Sequence, residues 1–411
     1  MRTLSRLWAA AAVIGVAVVT GDPGDRFNIS ADRLPAPNTT SPRDIDPQFV
    51  EAPARFLPKV PPGFSVSVFA SGSRLTHVRW LTVAPNGDVL LAEEGAGKIT
   101  LLRDADGDGK AELVTTFAQG FSSPHGMAFR DGAFYVADTR AVWRLAYRDG
   151  DTSFKGSPVR VTTAPNLRTT GQHLPREIAF DGKGALYLTI GARKDLEDSD
   201  PPPDATIQLV NPDGSMTYFA GGLRNVAGLA VQPGTGDLWG AVNERDELGA
   251  QLPPDFLARI AKDDFFGWPY AYTGSHPDPT FGAKRPDLVA MTKTPEVLFE
   301  AHSAPLGVVF YGKTQFPQEY RGDAFVALHG SGPYDKPTGY KVVRVKFADG
   351  KPAGGYEDFV TGFFPPGKTG PKGFLEPRVW GTPCGLTVAK DGSLLIADDK
   401  GKTVWRVAYA K

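Results

Sequence analysis

Short apolar runs separated by polar turns repeat along the chain from residue 64 almost to its end. Each unit holds an apolar run, a short glycine-containing turn, a second run, an acidic or glycine step, and a third run that often contains arginine. The units begin near Leu81, Gly126, Arg176, Ala227, Gly307 and Cys384. Six copies of three or four short strands are typical of a six-bladed β-propeller, so the pattern predicts an all-β fold.

A further apolar run, Phe64–Phe69, precedes the first unit and is predicted to pair with the strands of the last unit. Such a pairing closes the ring and removes the open edge that a linear array of sheets would expose. The propeller is therefore expected to span residues 61–411. Few helices are expected, and Pro254–Lys262 is the segment that best fits one. A two-sheet sandwich also uses short strands, but it does not account for six near-copies.

The first residues have the pattern of a secretory signal peptide. Arg2 and Arg6 precede an apolar run, Trp8–Val19, that is too short to span a bilayer. We therefore expect a signal peptide over residues 1–21 and a periplasmic or secreted protein with no stable membrane anchor after cleavage. An uncleaved signal anchor is the alternative. Residues 22–60 are rich in Pro, Asp, Asn and Ser without periodicity, and they are expected to form a linker or lead-in.

The net charge and the cysteine count limit the kinds of ligand and cofactor that the chain is expected to bind. The 411 residues carry a formal net charge of −1, which gives no basic surface for nucleic acid. Cys384 is the only cysteine, so neither an internal disulfide framework nor a covalently attached haem is expected. If the protein handles electrons, its cofactor is bound non-covalently and the final acceptor is a separate molecule.

The most informative polar cluster lies around the fourth unit. Two apolar runs, Val226–Val231 and 237–242, are predicted to form a hairpin through the turn at 233–236. Arg224 and Asn225 precede the first run, and residues 243–247 (Asn-Glu-Arg-Asp-Glu) follow the second. A hairpin brings these two clusters to one rim of a sheet, where they suit an anionic cofactor and a hard metal ion. A solvated, salt-bridged loop is the alternative.

Four of the six histidines fall beside the predicted strand ends, at positions 125, 173, 302 and 329. A histidine at the rim of a pocket is a candidate general base because its pKa is ordinarily close to neutrality. His173, with Arg176 three residues later, is the candidate for that role. A packed or surface histidine is the alternative at each position.

A separate acidic segment follows the third strand run of the first unit and precedes the run Leu113–Phe117. Asp104, Asp106, Asp108 and Glu112 stand at positions 1, 3, 5 and 9 of a calcium-loop pattern that has Gly109 at position 6. The glutamate expected at position 12 is replaced by Thr115. We expect either a structural calcium ion or a solvated acidic hairpin turn here.

The segment from Tyr218 to Gly274, with LRN, NERD, LPPD and GWPY in order, resembles the L-sorbosone dehydrogenase group of the glucose/sorbosone dehydrogenases. The resemblance extends over roughly residues 60–410. It implies a six-bladed propeller that uses pyrroloquinoline quinone (PQQ) and calcium.

The resemblance also implies roles for particular residues. His173, within a His-x-x-Arg motif that includes Arg176, would take the substrate proton as hydride moves to the quinone. Arg224 would stabilise charge on the quinone oxygens, and Asn225 would help to position cofactor or substrate. The residues implied for calcium are Asn243, Glu244, Arg245 and Asp246, partly through backbone oxygens. Arg176 is also implied to bind the cofactor, and the residues implied for a PQQ carboxylate are His329 and Lys336.

Two positions depart from the family pattern. An aspartate that orients the catalytic histidine in the glucose-oxidising relatives is Ala192 here, and an arginine that often follows Trp-Gly in the last unit is Thr382. The orienter is therefore expected to be missing or to come from elsewhere in the chain.

The leading hypothesis is an exported PQQ- and calcium-dependent dehydrogenase that oxidises a sugar or sugar-derived aldehyde and passes electrons to a cytochrome or quinone. A calcium-dependent lactonase-type hydrolase is the second hypothesis. A non-catalytic carbohydrate-binding propeller is the third, because fold alone does not decide between activities.

Overall fold

The computed structural model describes residues 21–40, 48–163, 167, 170–198, 203–330, 337–364, 368–369, 375–376 and 378–410. Lys336 and all of the expected signal peptide except Gly21 lie outside the described residues.

Six antiparallel sheets form the blades of a propeller, as predicted. With the innermost strand first, blades one to three consist of Val78–Val83, Val89–Glu93, Lys98–Arg103 and Leu113–Gln119; Met127–Arg130, Ala133–Ala137, Val142–Ala146 and Val159–Arg160; and Ile178–Phe180, Leu186–Ile190, Thr206–Val210 and Met216–Gly221. Blades four to six consist of Asn225–Val231, Leu238–Asn243, Pro254–Ile260 and Val297–Ala301; Pro305–Phe310, Ala324–Leu328, Lys341–Val345, Tyr356–Val360 and Arg26–Phe27; and Pro383–Val388, Leu394–Asp398, Thr403–Tyr409 and Phe64–Ser71.

Outside the blades, the described residues form four short two-stranded pairs and little helix. The pairs are Gln48–Phe49 with Arg378–Val379, Ala271–Tyr272 with His276–Pro277, Phe347–Ala348 with Lys351–Pro352, and Lys368–Thr369 with Leu375–Glu376. The helical elements are Pro286–Met291 and the 3₁₀ turns Ala31–Arg33, Glu94–Ala96, Gly282–Lys284 and Gln318–Tyr320. Among the described residues, no helix combines the length and apolar character needed to cross a bilayer.

The ring is closed by the predicted pairing of the first long strand with the last. Phe64–Ser71 runs antiparallel to Thr403–Tyr409, with Phe64 opposite Tyr409. Phe64 also packs edge-on against Phe316 and Phe359, with ring centroids 4.8 and 5.1 Å apart, which joins blade six to blade five. Aromatic edge contacts of this kind stabilise the closure beyond the area that they bury.

The innermost strands contact one another all the way around the ring. Glycines allow this close approach of backbones. A Cβ atom on Gly228 of blade four would lie 1.9 Å from the Leu306 oxygen of blade five, and one on Gly385 of blade six would lie 2.6 Å from the Arg79 oxygen of blade one. The starts of all six innermost strands therefore meet at one end of the axis.

The helix prediction for Pro254–Lys262 is wrong. Pro254–Ile260 is the third strand of blade four and pairs on both sides, with Leu238–Asn243 and with Val297–Ala301. All of its residues except Arg259 are buried. A short apolar run of this kind does not distinguish a buried strand from a buried helix by periodicity.

Candidate functional site

The predicted hairpin of blade four brings its two polar clusters together. Asn225 lies directly opposite Asn243 in the register of the two inner strands. The Asn243 side chain donates a hydrogen bond to the Pro305 oxygen of blade five at 2.6 Å. The end of this hairpin is therefore fastened across the gap between two blades, at the end of the axis where the innermost strands begin.

Arg224 lies at this rim and pairs with a carboxylate that the sequence analysis did not single out. Its Nη2 is 2.6 Å from Asp195 Oδ1, and its Nη1 donates to the Asn243 oxygen at 3.2 Å. Asp195 Oδ1 also accepts the Asp246 backbone N–H at 3.1 Å. Asp195 thus ties the loop between the second and third strands of blade three to the corresponding loop of blade four, and it holds the guanidinium at the rim.

The His173 ring is oriented by backbone. Its Nδ1 donates to the Ala192 carbonyl oxygen at 3.0 Å, and the Ala192 N–H donates to the Arg224 oxygen at 2.6 Å. Because a carbonyl only accepts hydrogen bonds, this contact requires a proton on Nδ1, so a neutral ring in this position carries its lone pair on Nε2. The orienter expected from elsewhere is therefore the peptide group of the very residue that replaced the family aspartate.

Gly191 separates His173 from Asn225. A Cβ atom at position 191 would lie 2.6 Å from His173 Cβ and 3.1 Å from Asn225 Oδ1. His173 itself has a φ of 49°, in the left-handed region that non-glycine residues seldom occupy. The loop thus holds two predicted site residues on either side of one glycine.

Arg176 supports this loop from beneath. It is fully buried, and its Nη1 donates to the His173 and Pro175 oxygens at 3.0 Å each, while Nη2 donates to the Leu167 oxygen at 2.7 Å. A guanidinium buried against backbone carbonyls positions the chain around His173. This placement differs from the cofactor contact that the resemblance implies for Arg176.

Glu244 and Asp255 form a buried acidic pair beside Arg224. Asp255 accepts the Glu244 N–H on Oδ1 and the Ala304 N–H on Oδ2, both at 2.8 Å. Burial raises the pKa of Glu244 to about 8, with Arg224 opposing the shift and Asp255 adding to it. Burial also raises the pKa of Asp255 to about 6, against the two N–H donors. The wrong helix prediction concealed Asp255, which a strand reading would have placed next to the rim.

The other two residues expected at the metal site, Arg245 and Asp246, lie in the same loop, which follows the strand Leu238–Asn243. Arg245 is buried and pairs with Asp278 at 2.6 Å, so it can offer a cation only its backbone oxygen. Asp246 is exposed and its Oδ1 lies 3.0 Å from His302 Nδ1. Burial lowers the pKa of His302, but Asp246, the Gly249 carbonyl and Asp255 outweigh it and raise the pKa overall.

A second polar group lies at the same end, across blades five, six and one. The Arg79 Nη1 is 2.8 Å from Asp399 Oδ2 and 3.3 Å from His329 Nε2. Thr382 donates its hydroxyl hydrogen to Asp399. Burial lowers the pKa of His329, and Asp399 only partly offsets this. Burial therefore favours the neutral form of His329, whose Nε2 lies 3.2 Å from Asp399 Oδ2.

His125 links this group to blade three. Its Nδ1 lies 2.5 Å from Glu94 Oε1, and its Nε2 lies 3.6 Å from Glu177 Oε2. Glu177 is 3% exposed, and burial raises its pKa well above the ordinary value. Burial therefore favours the protonated form of Glu177, a residue that the repeat pattern did not identify.

The acidic loop of blade one is compact but distant in sequence from the rim residues. Oxygen atoms of Asp104, Asp106, Asp108 and Glu112 all lie within 4.8 Å of one another. The carboxylates also accept local backbone N–H groups, as from Gly107 to Asp104 at 2.7 Å and from Ala105 to Glu112 at 2.7 Å. The expected calcium loop is thus a formed turn with converging oxygen atoms.

The rim suits the two cofactors that the resemblance implies. Glu244 Oε1 is buried and has no hydrogen-bond partner among the described residues. A hard cation accepts such an oxygen, and the neighbouring Asn243 and Asp246 add further oxygen atoms. Arg224 offers a guanidinium in the same place.

Two family models match the chain. The glucose/sorbosone dehydrogenase model matches residues 134–332, and a model described as TrAA12-like matches residues 287–410. The first match confirms the resemblance that the sequence motifs indicated.

Two relatives are similar over different lengths. An uncharacterised protein of Borreliella burgdorferi is 27% identical over 366 residues, which cover 86% of this chain and 91% of that protein. The aldose sugar dehydrogenase of Escherichia coli is 28% identical over 219 residues, which cover 44% of this chain and 56% of that enzyme.

Solved structures share the fold. The holo PQQ domain of the Coprinopsis cinerea pyranose dehydrogenase has a TM-score of 0.71 at 20% identity and covers 88% of this chain and all of that domain. The PQQ-bound aldose sugar dehydrogenase of Streptomyces coelicolor has a TM-score of 0.59 at 19% identity, covering 85% and 99%. A calcium structure of the Trichoderma reesei family AA12 protein has a TM-score of 0.70 at 18% identity, covering 88% and 99%. Together the comparisons support a sugar dehydrogenase oxidoreductase.

Proposed function

We propose, from the glucose/sorbosone dehydrogenase match over residues 134–332, that the chain is an exported PQQ- and calcium-dependent dehydrogenase oxidising a sugar or sugar-derived aldehyde. One observation carries the proposal. His173, Arg224 and Glu244 lie on one rim, joined through the contacts of Ala192, Asn243 and Asp255. A base, a guanidinium and a cation-binding carboxylate are the three elements that this chemistry requires in one place.

In this proposal, Glu244 and Asp246 with backbone oxygens of residues 243–245 hold calcium, and Arg224 and Asn225 hold the quinone cofactor. When bound, the quinone supplies the two-electron acceptor. The partnerless Glu244 Oε1 and the Arg224 guanidinium are the features of the rim that fit these groups.

His173 moves the proton. Its Nδ1–H is committed to the Ala192 carbonyl, so Nε2 receives the proton from the substrate hydroxyl or aldehyde hydrate. Arg176 and Gly191 fix the loop, which keeps the ring in this orientation without reorganisation during the reaction. The resulting imidazolium is stabilised by a carbonyl dipole where relatives use a carboxylate.

Arg224 places fixed positive charge beside the reacting groups. Asp195 holds it through a 2.6 Å ion pair and balances it in the resting protein. Charge-assisted hydrogen bonds from such a guanidinium are roughly twice as strong as those between neutral groups. Arg224 would therefore stabilise negative charge on the oxygen atoms of a bound electron acceptor.

The proposal places the enzyme in the periplasm or outside the cell, with a sugar as substrate and a cytochrome or quinone as the separate electron acceptor. The signal pattern of residues 1–21 and the absence of any cysteine except Cys384 motivate these two points.

The decisive experiment mixes purified protein with PQQ and calcium and follows dye reduction with a panel of aldoses and osones. We expect reduction that requires PQQ and is lost in His173→Ala. Arg259→Ala, which removes an exposed arginine near the 233–236 turn at the other end of blade four, is the matched control. Lactone hydrolysis with calcium alone, or no binding of PQQ at micromolar concentration, would contradict the proposal.

A further inference from the structure

The segment that follows Gly21 packs against the outer edge of blade five, whose outermost strand lies far from this segment in sequence. Arg26 and Phe27 pair antiparallel with Glu357 and Tyr356. Just before this strand, the Gly24 N–H donates to the Asp358 oxygen and the Asp358 N–H donates to the Asp25 oxygen, both at 2.8 Å. Residues 21–25 therefore lie against Asp358.

The negative charge around Asp358 exceeds the positive charge of Lys341, the cation that contacts it. It is 1% exposed, and Lys341 Nζ lies 2.8 Å from its Oδ1 and 3.4 Å from Glu300 Oε2. Burial raises the pKa of Asp358 to about 6; Lys341 opposes this, whereas Glu300 and Asp25 add to it. Two carboxylates, those of Asp358 and Glu300, thus contact one ammonium group, and the Asp25 carboxylate adds a third negative charge near Asp358. Oδ2 of Asp358 accepts no hydrogen bond from the described residues.

The space beside that oxygen is occupied by Gly21. A Cβ atom on Gly21 would lie 1.9 Å from Asp358 Oδ2 and 3.7 Å from Asp25 Oδ2. The next residue, Asp22, donates its backbone N–H to Asp25 Oδ2 at 2.9 Å. The backbone nitrogen of Asp22 is therefore already directed at one carboxylate, and removal of Gly21 would open the space against the other.

We propose that the mature chain begins at Asp22 and that its α-ammonium group lies between the carboxylates of Asp25 and Asp358. A signal peptidase would hydrolyse the Gly21–Asp22 bond with one water molecule. Gly21 then leaves with residues 1–20 as a carboxylate, and the new amine on Asp22 takes up a proton at neutral pH. The new positive charge offsets the excess of carboxylates that the uncleaved chain leaves at Asp358.

Processing therefore completes the docking of the Arg26–Phe27 strand. Before cleavage, position 22 offers one amide hydrogen and Gly21 fills the gap. After cleavage, an ammonium group with three N–H donors reaches Asp25 and Asp358 together. This inference concerns maturation and does not depend on the oxidation chemistry proposed above.

The first experiment exports the full chain with its own leader and determines the N-terminal residue by mass spectrometry. We expect Asp22. A chain that keeps its leader, or one that begins elsewhere, overturns the proposal.

The second experiment compares thermal melting of two purified forms. One is released from a fusion so that it begins at Asp22, and the other begins with a methionine before Gly21, which moves the amine by two residues. We expect the Asp22 form to melt higher, by roughly 1–3 °C for a domain of this size. Equal melting temperatures overturn the proposal.

Two variants test the carboxylates. Asp358→Asn should abolish the difference between the two forms, and Asp25→Asn, at a more exposed position, gives the same test if the first variant folds poorly. Asp32→Asn removes an exposed carboxylate of the same segment and should preserve the difference. A difference that survives Asp25→Asn and Asp358→Asn unchanged contradicts the placement of the ammonium group.

Discussion

His173 Nδ1 lies 3.0 Å from the carbonyl oxygen of Ala192, the residue that stands where relatives carry an orienting aspartate. The side chain at position 192 contributes nothing to this contact, because the backbone alone supplies the acceptor. The hydrogen bond requires a proton on Nδ1 of the ring, and the N–H of the same residue, Ala192, donates to the Arg224 oxygen. An alanine at position 192 is therefore compatible with an oriented imidazole at His173.

Removing the imidazole should separate proton transfer from cofactor binding. We expect His173→Ala to lower kcat by about 100-fold to 10,000-fold, the usual range for loss of a general base, while PQQ affinity changes little. His173→Asn keeps a donor for the Ala192 oxygen but has no basic nitrogen, so it should be equally inactive. Steady-state kinetics with titration of PQQ measure both effects. An Asn variant with near-normal kcat would show that orientation, and not basicity, is what His173 contributes.

Gly191 should tolerate no side chain. The Cβ atom of Gly191→Ala would meet His173 Cβ at 2.6 Å and Asn225 Oδ1 at 3.1 Å, so the two loops must move apart. Overpacking of this kind ordinarily costs about 1–3 kcal/mol. We expect a lower melting temperature and at least a tenfold loss of kcat/KM. Gly182→Ala in the preceding turn of the same blade is the control, because its Cβ would meet no atom within 4 Å. Equal behaviour of the two variants would contradict the proposed spacing.

Arg224 should govern affinity for the cofactor. Loss of hydrogen bonds from a charged donor is ordinarily worth about 1.5–3 kcal/mol, so Arg224→Ala should weaken PQQ binding by at least tenfold. Asp195→Asn should weaken binding less, because the guanidinium remains but loses its 2.6 Å partner. Fluorescence titration of the two variants measures the order of these effects. The reverse order would show that Asp195, and not Arg224, contacts the ligand.

Glu177 should make stability depend on pH. Its pKa is raised in the folded state by burial, so between the unfolded value near 4.5 and the folded pKa only the folded chain keeps the proton. Stability therefore falls as pH rises through this window, by at most about 1.4 kcal/mol per pH unit. Glu177→Gln mimics the neutral acid and should flatten that part of the profile.

Denaturant unfolding at several pH values measures the Glu177 effect. Glu319→Gln removes an exposed carboxylate and should leave the slope as it is in the parent protein. A parent profile that already lacks a falling limb above the unfolded value would contradict a neutral Glu177.

The acidic loop of blade one should bind calcium independently of the rim. We expect calcium to raise the melting temperature, because a ligand that binds the folded state stabilises it by mass action. The double substitution Asp106→Asn with Glu112→Gln should remove one calcium from the binding stoichiometry, measured by titration calorimetry. Asp213→Asn, in an exposed turn of blade three, should not change it. An unchanged stoichiometry in the double variant would assign the loop to the solvated turn.

The repeat of short strands was enough to predict the six blades and their closure, because each blade carries its own alternation of apolar runs and turns. The hairpin around residues 233–236 was predictable for the same local reason, and the register of Asn225 and Asn243 follows from it. The strand at Pro254–Ile260 was not, since six of its seven residues are buried and the one exposed residue, Arg259, does not reveal a period.

The contacts that complete the rim could not be predicted from sequence. Arg79 meets Asp399 across 320 residues because the ring joins blade one to blade six. The acceptor for His173 is a backbone carbonyl, whose direction depends on the loop and not on the identity of residue 192. Motifs locate side chains along the chain, whereas these partnerships arise only when the sheets come together.

The pairing of Phe64 with Tyr409 gives the earliest and latest parts of the propeller a common sheet. Bringing them together carries the entropy of closing a loop that includes nearly the whole domain. During synthesis, the sixth sheet cannot form until Thr403–Tyr409 has been made, whereas the strands of the first five sheets have been synthesised before that point. A chain truncated a few residues early would therefore leave the propeller open, with two sheet edges unpaired. Such an open form would be accessible to chaperones and proteases.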